Sequence, residues 1–570
     1  MKPKVYKAKF EYANIVDTLG ENSYEQIGIT KEFDGSQIKI SLFFDVHQKI
    51  IPEWVEELLG FFDSKDSFDF ESPNQYNSII IVETRNSIYL LPKGHAFWVV
   101  EKISELDFGL DFAEKVIHSK DILMKSVSYV QRNKMRGILN YKKDQNEFPQ
   151  ASESYFYVSG KPEMEPIFGS SIDCGTGVTF SKSYNLSQND IVKNFCQLFN
   201  EIDIALNLPD KKSIIPRLHR VPKKDDLYNE LNVSLLTEIK ESEGSCSLLI
   251  DINRIQLVGS RIEILENEQK LSIYLSGEKV NSEEEIGFDD TKIIDYIRKN
   301  SSSITDLNQI KFALYTEEGS CIKKDITFAK IVYCELDFKD KVYVLDNGRW
   351  GYFNNKFYSL LEEKLLEIDE SVVFEEMYSI EYESQEKGEF SGEGGYIEEL
   401  VKNSQMFKLH KRNLIVSGST IEIADVYDKK LDELLAIKRG TSTSLAMYSF
   451  EQSLLSIQVL ANKGDFNVTN ELLKYNNRGE YKDEKKYPYL SESLVTKLVA
   501  CKNASVLWLI DDKPKYVLDK VLDKSFKLKD FNSLMLKLKI VDWYSFVKDN
   551  GYTPKLYFAL DRPIKESQNI

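Results

Sequence analysis

The sequence predicts an α+β protein built from several domains. Its 570 residues correspond to about four domains of ordinary size, and 42% hydrophobic with 12% aromatic residues is enough for several cores. Apolar residues occur both in the alternating pattern of strands and at the spacing of helices. No apolar run approaches the roughly 20 residues that cross a bilayer, and residues 1–12 lack the apolar core of a signal peptide. We therefore expect a cytoplasmic protein.

Residues 1–225 are predicted to form an N-terminal α+β domain with basic segments. Residues 37–44 alternate apolar and polar side chains like a half-buried strand, and residues 78–82 form a fully apolar strand. A helix is predicted over 52–62, which opens with proline and acids. A second helix, over 190–206, carries an apolar stripe.

The next part of the chain is predicted to contain a strand-rich domain followed by an acidic connector. The strand-rich middle domain spans residues 226–350, with strands expected over 247–252, 254–265 and 270–275. The connector spans residues 351–395. Acidic residues dominate this region, since residues 361–400 contain 14 of them against only Lys364 and Lys387.

Residues 396–570 are predicted to form a C-terminal α/β domain. Its elements are expected in the order helix, three strands, helix, strand, helix, strand. The first helix covers 396–409, and the three strands cover 413–416, 421–427 and 433–439. The remaining elements are expected as a helix that residues 440–444 cap and that runs to about 460, a strand over 506–510, a helix over 531–548 and a strand over 555–560.

Cysteine and histidine usage predicts no zinc site. The six cysteines stand singly without a C-x-x-C pair, and the five histidines are equally scattered. A zinc cage needs these residues clustered at short spacing. We expect reduced, buried thiols.

Charge is segregated along the chain. The net charge of −17 argues against wholesale coating of nucleic acid. Two runs nevertheless hold six basic residues each and no acid, at 125–143 and 211–224. The second run, interrupted by prolines, is predicted to be a linker. The first run interleaves Tyr129 and Tyr141 with its cations, which suits phosphate contact with base stacking, while a solvated helix face is the alternative. The candidate nucleic-acid-binding residues are Lys125, Arg132, Lys134, Arg136, Lys142 and Lys143.

The C-terminal domain carries residues that suit metal-dependent cleavage of phosphodiesters. Such cleavage needs hard oxygen ligands for Mg²⁺ and a nearby cation. Asp425 lies on the second predicted strand and Lys438 on the third, 13 positions later. Glu399 or Glu398 can reach the same point from the preceding helix. Gln452, on the helix after the lysine, can orient water or phosphate.

This arrangement resembles the core of PD-(D/E)xK nucleases, especially their Mrr-like and RecB-like branches. The resemblance covers residues 396–461, with residues 505–560 as its continuation, and it implies a restriction-endonuclease-like core. It also implies that Asp425 and Glu399 are Mg²⁺ ligands and that Lys438 polarises the attacking water or the scissile phosphate. Glu422 and Gln452 support them in this interpretation.

The sequence departs from that family two residues before the lysine. The family has Glu or Gln there, whereas this chain has Ala436. Glu422 can complete the site only if its strand is bent, because in a regular strand it faces away from Asp425. The alternative is a nuclease-shaped domain without catalysis that binds nucleic acid or senses a phage component.

A second resemblance covers most of the chain. Several phrases resemble a sporadically distributed bacterial family of proteins of similar length with no assigned biochemical activity. Members of that family are carried beside mobile elements and defence genes. The resemblance implies a role in antiviral defence, with DNA rather than RNA as the expected nucleic acid and a phage or host protein as a possible trigger. The phrases are KSVSYVQRNKMRG at 125–137, VSGKP at 158–162, FGSSIDC at 168–174, GRWGYFNNKFY at 348–358, IEIADVY at 421–427 and LLAIKRGTSTSL at 434–445.

Overall fold

The computed structural model shows an α+β chain made of two compact units, which confirms the predicted class. The first unit covers most of the residues up to His219, and the second begins at Arg220. No helix in the described part of the chain is long and apolar enough to span a membrane. The structure describes residues 2–27, 31–33, 38–48, 74–129, 135–139, 153–184, 189–241, 248–250, 255–258, 261–264, 270–277, 290–315, 321–346, 348–384, 393–416, 419–439, 443–461, 468–475, 488–511 and 515–565.

The first unit is built on an eleven-stranded sheet. Its strands are Lys4–Lys7, Glu25–Gln26, Lys31–Phe33, Ile38–Gln48, Asn74–Glu83, Ile88–Lys93, Ile122–Tyr129, Met135–Leu139, Glu153–Gly160, Ile172–Cys174 and Val178–Phe180. Its helices are Tyr12–Glu21, Phe97–Ile103, Phe108–Val116, Glu165–Phe168 and Asn189–Asn207. The strands predicted at 37–44 and 78–82 pair with each other, Phe43 opposite Ile79. The helix predicted at 190–206 is confirmed, and the one at 52–62 lies outside the described residues.

Where the structure describes the basic run at 125–143, it forms strands rather than a helix. Lys125 lies on Ile122–Tyr129 and Arg136 on Met135–Leu139, and these two strands pair antiparallel. The other four candidate residues, Arg132, Lys134, Lys142 and Lys143, lie outside the described part of the chain.

Part of the second basic run, at 211–224, forms ion pairs within the first unit. Arg217 is buried and pairs with Asp111 and Glu114 on the helix Phe108–Val116. Lys211 pairs with Glu114 as well, at 2.5 Å. These ion pairs hold this part of the run against the helix Phe108–Val116.

The helix Phe108–Val116 approaches the turn between the strands Ile172–Cys174 and Val178–Phe180 at Gly109. A Cβ atom added at Gly109 would lie 2.2 Å from the carbonyl oxygen of Gly175 and 2.5 Å from that of Gly177. Both neighbours are backbone atoms, which cannot turn aside like a side chain. Only glycine fits at this crossing.

The second unit begins with a strand-rich part. Its strands are Leu248–Ile250, Ile255–Val258, Arg261–Ile264, Lys270–Leu275, Ile310–Tyr315, Cys321–Thr327, Val332–Phe338, Lys341–Asp346 and Arg349–Phe353. Its helices are Asp226–Glu241, Asp290–Lys299 and Phe328–Ile331, and the strand Leu218–Arg220 precedes it in the chain. The strand predicted at 254–265 is a hairpin, with Val258 opposite Arg261. The strand predicted at 270–275 has those bounds and pairs with Ile310–Tyr315.

Glu335 joins this strand-rich part to the helix Leu534–Asp549. Its carboxylate accepts the backbone N–H groups of Leu534 and Met535, both at 2.8 Å, and the hydroxyl of Ser533 at 3.3 Å. The first N–H groups of a helix have no partner within the helix, and an anion there is favourable. Burial raises the pKa of Glu335, although these hydrogen bonds oppose the rise.

We expect Glu335→Ala to lower the free energy of unfolding by about 1 to 3 kcal/mol, because two helix N–H groups lose their acceptor. Since the folded-state pKa lies above the ordinary 4.5, the folded chain holds this proton more tightly than the unfolded chain. That contribution is complete below the ordinary pKa and is lost as the pH rises through the raised one. The loss should therefore be smaller at about pH 8 than at about pH 5.

Urea unfolding at the two pH values measures this difference. Asp337→Ala, at an exposed position of the same strand, is the matched control and should change little. Equal losses in the two variants would contradict the capping role.

The rest of the second unit is organised around a six-stranded sheet. Its strands neighbour one another in the order Val372–Phe374, Thr553–Leu560, Asn503–Ile510, Glu433–Arg439, Val426–Asp428 and Met406–Lys408. The first four strands are parallel, and the last two run antiparallel to their neighbours. The central strand Asn503–Ile510 is almost wholly apolar because both of its faces are covered.

Helices cover this sheet, and two short strand pairs flank it. The helices are Asn355–Asp369, Glu393–Leu400, Thr443–Ala461, Val468–Tyr475, Glu492–Ala500, Lys515–Leu522 and Leu534–Asp549. The strand pairs are Glu381–Ser384 with Arg562–Lys565, and Asn413–Val416 with Ser419–Glu422. The predicted acidic connector 351–395 thus supplies a helix, an edge strand of the sheet and one of the flanking strands.

Two predicted elements end earlier than the sequence pattern suggested. The helix expected over 396–409 covers Glu393–Leu400, and the strand Met406–Lys408 follows it. The strand expected over 421–427 is interrupted between Glu422 and Val426. At the interruption, the carbonyl oxygen of Asp425 accepts two backbone N–H groups from Leu409 and His410. The chain therefore bends at the residue that the sequence analysis singled out.

The cysteines of the described residues are free thiols. Cys174, Cys196, Cys334 and Cys501 are buried, as predicted. Cys321 is exposed because it begins the edge strand of a three-stranded sheet. Cys246 lies outside the described residues.

Candidate metal centre

Three potential metal ligands converge near the end of the strand Glu433–Arg439. Each of Glu393, His410 and Asp425 offers one ligand atom, and these three atoms lie within 4.8 Å of one another. Glu393 is the first residue of its helix, His410 follows the strand Met406–Lys408, and Asp425 occupies the bend described above. Three separate segments are thus needed to assemble the group.

Asp425 is the most firmly held member of the cluster. It is fully buried. Its Oδ1 lies 2.8 Å from His410 Nδ1, and its Oδ2 accepts the backbone N–H of Ile437 at 2.7 Å. Its own backbone N–H donates to the carbonyl oxygen of Leu435 at 2.9 Å. The strand Glu433–Arg439 therefore fixes both the backbone and the side chain of Asp425.

Lys438 reaches the cluster from the residue after Ile437. Its Nζ lies 2.9 Å from Oε1 and 3.0 Å from Oε2 of Glu393. Both side chains are largely buried, with 13% and 21% of their surface exposed. The lysine thus contacts a carboxylate of the cluster symmetrically.

Glu422 and Gln452 form the outer side of the cluster. Glu422 Oε1 lies 3.3 Å from His410 Nδ1 and accepts the backbone N–H of Lys411. Glu422 Oε2 accepts Nε2 of Gln452 at 2.8 Å. Gln452 Oε1 is buried and has no hydrogen-bond partner among the residues that the structure describes. A buried acceptor of this kind needs a donor, such as an ordered water.

The left-handed backbone of Lys411, with φ of 61°, belongs to this geometry. Non-glycine residues seldom adopt it, and they tend to do so at functional sites. Here it lets the N–H of Lys411 face Glu422, directly after His410.

The protonation of the cluster follows from its burial and its crowding of carboxylates. Burial raises the pKa of Glu393 to about 7, and the charge of Asp425 adds to the rise while Lys438 opposes it. Burial and Asp425 likewise raise the pKa of Glu422. Burial alone would lower the pKa of His410, but its hydrogen bonds to Asp425 and Glu422 outweigh this and raise it to about 10. Asp425 and Glu422 therefore favour the protonated form of His410, which would have to lose a proton before its imidazole nitrogen could bind a metal ion.

The structure brings four of the predicted site residues together: Asp425, Lys438, Glu422 and Gln452. The bend that Glu422 needed is present, although Ala436 still leaves no carboxylate two residues before the lysine. Glu399 lies away from the group and pairs with Lys402 at 2.6 Å. Glu399 lies six positions after Glu393 on the helix, a rise of about 9 Å along the axis.

Two members of the cluster were not anticipated from the sequence. Glu393 lies within the glycine-rich segment 388–395, and the helix predicted from residue 396 begins three residues too late to include it. His410 is one of five scattered histidines, and the residues next to it in the sequence form no metal-binding motif. The pairing of Met406–Lys408 with Val426–Asp428 places it beside Asp425, whose carbonyl oxygen accepts the N–H of His410.

A model of a protein family described as being of unknown function matches residues 4–513. No curated protein and no solved structure matches the chain.

Proposed function

The chain belongs to that family of unknown function, DUF6119, and we propose that its second unit is a metal-dependent phosphodiesterase that cleaves nucleic acid. The observation that carries the proposal is the convergence of Glu393, His410 and Asp425 beside Lys438. The proposal includes a restriction-endonuclease-like core, since the cluster lies on a mixed sheet with helices on its faces.

The chemistry of these residues fits a divalent cation. Carboxylate oxygens, of which Asp425 and Glu393 offer one each, are preferred ligands of Mg²⁺ and Mn²⁺, and an imidazole nitrogen suits softer ions such as Zn²⁺. The unpartnered Oε1 of Gln452 is an acceptor for an ordered water at the same place. A bound cation would neutralise charge on the scissile phosphate and lower the pKa of a water.

The roles of this chain's own side chains follow from their contacts. Asp425 and Glu393 are the oxygen ligands, with Glu393 in the place that the sequence analysis gave to Glu399. Lys438, whose Nζ contacts the carboxylate of Glu393, would contact the scissile phosphate or the attacking water if a bound metal ion drew Glu393 away. Glu422 and Gln452 orient water and hold His410.

The biological setting of this proposal is antiviral defence with DNA as the substrate. It rests on the likeness of the chain to proteins carried beside defence genes, and a phage or host protein acts as the trigger in this setting.

The test is a titration of the purified chain with Mg²⁺ and Mn²⁺ while cleavage of plasmid, single-stranded DNA and RNA is followed. We expect cation-dependent cleavage that Lys438→Ala lowers by at least about 100-fold, because a positioned cation at the phosphate contributes that much to the rate. Lys402→Ala is the matched control, since Lys402 pairs with Glu399 outside the cluster. Unchanged cleavage by Lys438→Ala would refute the assignment of the lysine.

A non-catalytic nucleic-acid-binding protein is the second candidate, and Ala436 is the observation that favours it. It predicts binding that needs no divalent cation, weakens steeply with salt and declines when Arg132, Lys134 and Arg136 are neutralised. Salt-insensitive binding would count against it.

A further inference from the structure

A second polar cluster lies on one face of the same sheet, among apolar and aromatic side chains. Asp428 and Glu433 are direct cross-strand partners on Val426–Asp428 and Glu433–Arg439. Side chains of directly opposed residues point to the same face of a sheet. Both carboxylates are fully buried.

Glu433 is satisfied by its neighbours. Its Oε2 accepts the hydroxyl of Tyr557 at 2.8 Å, and its Oε1 accepts the hydroxyl of Ser505. Lys555 Nζ lies 3.9 Å from Oε1. Each oxygen of this carboxylate thus has a donor, and one cation stands nearby.

Asp428 is only half satisfied. Its Oδ1 accepts the backbone N–H groups of Lys430 and Leu431, at 2.8 and 3.0 Å. Its Oδ2 is buried and has no hydrogen-bond partner within the described residues. A buried carboxylate oxygen left in this state costs free energy unless something else meets it.

Tyr378 supplies a second buried atom of the same kind. The residue is fully buried, and its hydroxyl has no hydrogen-bond partner in the part of the chain that the structure describes. Its ring packs edge-on against Tyr557 with the centroids 5.3 Å apart, and Tyr557 donates to Glu433. Burial raises the pKa of Tyr378, and the charges of Glu433 and Asp428 add to the rise, so the phenol lies in the field of both carboxylates.

We propose that a monovalent alkali cation, Na⁺ or K⁺, binds between Asp428 Oδ2 and the hydroxyl oxygen of Tyr378. Both atoms are oxygens, which hard cations prefer. The formal charges of Asp428, Glu433 and Lys555 sum to minus one, so a single positive charge completes the balance. The site is separate from the divalent-cation cluster, and its test does not depend on the proposed activity.

The test compares thermal unfolding of the full chain in NaCl, KCl and tetramethylammonium chloride at equal ionic strength. Tetramethylammonium carries the same charge but is too large to enter a buried site. We expect a midpoint at least about 2 °C higher in NaCl or KCl, because a ligand that binds only the folded state stabilises it. Equal midpoints in the three salts would overturn the proposal and leave a buried water as the bridge.

Tyr378→Phe makes the test more specific, because the direction in which it changes the unfolding midpoint depends on what is bound. With a cation present, the variant loses a ligand, so its midpoint falls in the alkali salt and the difference between salts disappears. With the site empty, removing an unpartnered buried hydroxyl raises the midpoint in every salt. With a bridging water, the midpoint falls equally in all salts.

Two further variants complete the design. Asp428→Asn should also abolish the difference between salts. Tyr396→Phe is the matched control from the same region, since the Tyr396 hydroxyl donates to the carbonyl oxygen of Tyr378 at 2.7 Å. That variant should lower the midpoint equally in all salts and retain the difference between them.

Discussion

Asp425→Asn is expected to remove divalent-cation binding from the second unit and to lower metal-dependent cleavage by at least about 100-fold. Asparagine keeps the shape of the side chain but has one oxygen in place of two. In the structure both oxygens are committed, one toward His410 and one to the N–H of Ile437. The carboxylate of Asp425 thus contacts both His410 and the strand Glu433–Arg439.

Equilibrium dialysis with Mn²⁺ reports on this prediction without reference to activity. Glu399→Gln is the control, since that carboxylate pairs with Lys402 on the helix surface. Circular dichroism of each variant separates loss of the site from loss of the fold. If Asp425→Asn bound Mn²⁺ as tightly as the wild type, Asp425 would not be a ligand. If Glu399→Gln lost binding instead, the assignment made from the sequence would be preferred over the geometry of the cluster.

Gly109→Ala is expected to destabilise the first unit by about 2 kcal/mol. Two effects of opposite sign compete at this position. Alanine is favoured over glycine inside a helix by about 1 kcal/mol. The added Cβ, however, would overlap two backbone carbonyl oxygens, 2.2 and 2.5 Å away, and overpacking of a rigid site costs about 1 to 3 kcal/mol or more. The overlap wins because neither oxygen can move without shifting the turn that carries it.

Gly175→Ala is the matched control for this prediction, because it alters the other side of the same crossing. A Cβ at Gly175 would lie 3.4 Å from its nearest neighbour, the carbonyl oxygen of Phe156, which is ordinary contact. Thermal unfolding of the two variants should therefore separate clearly. If both variants were as stable as the wild type, the close approach of the helix to the turn would be contradicted.

The sequence predicted the elements whose pattern depends on burial of a whole strand or stripe. Asn503–Ile510, Glu433–Arg439 and Asn189–Asn207 were found because an apolar run, or a repeat of apolar residues, directly reports which faces are covered. The interruption at Asp425 escaped this reasoning, since IEIADVY alternates well enough to continue as one strand. What ends the strand is the pair of N–H groups from Leu409 and His410, which no local pattern shows.

The candidate site was predictable only where its members lie on recognisable strands. Asp425 and Lys438 were found from the order of elements and the turn between them. Glu393 and His410 reach the cluster through long-range contacts, namely an ion pair across 45 residues and strand pairing next to a tight turn. A position at the first turn of a helix depends on where that helix begins, which is the least certain boundary in a sequence pattern.

The position of Thr553–Leu560 has a consequence for the order in which the second unit is made. This strand is inserted between Val372–Phe374 and Asn503–Ile510, so the sheet has a gap until it arrives. When the ribosome has synthesised every residue of the metal cluster, it has not yet synthesised Thr553–Leu560. Contacts this distant in the chain form late, and a nascent chain interrupted before residue 553 leaves two apolar strands without their shared neighbour. The residues of the cluster are therefore synthesised before the strand that completes their sheet.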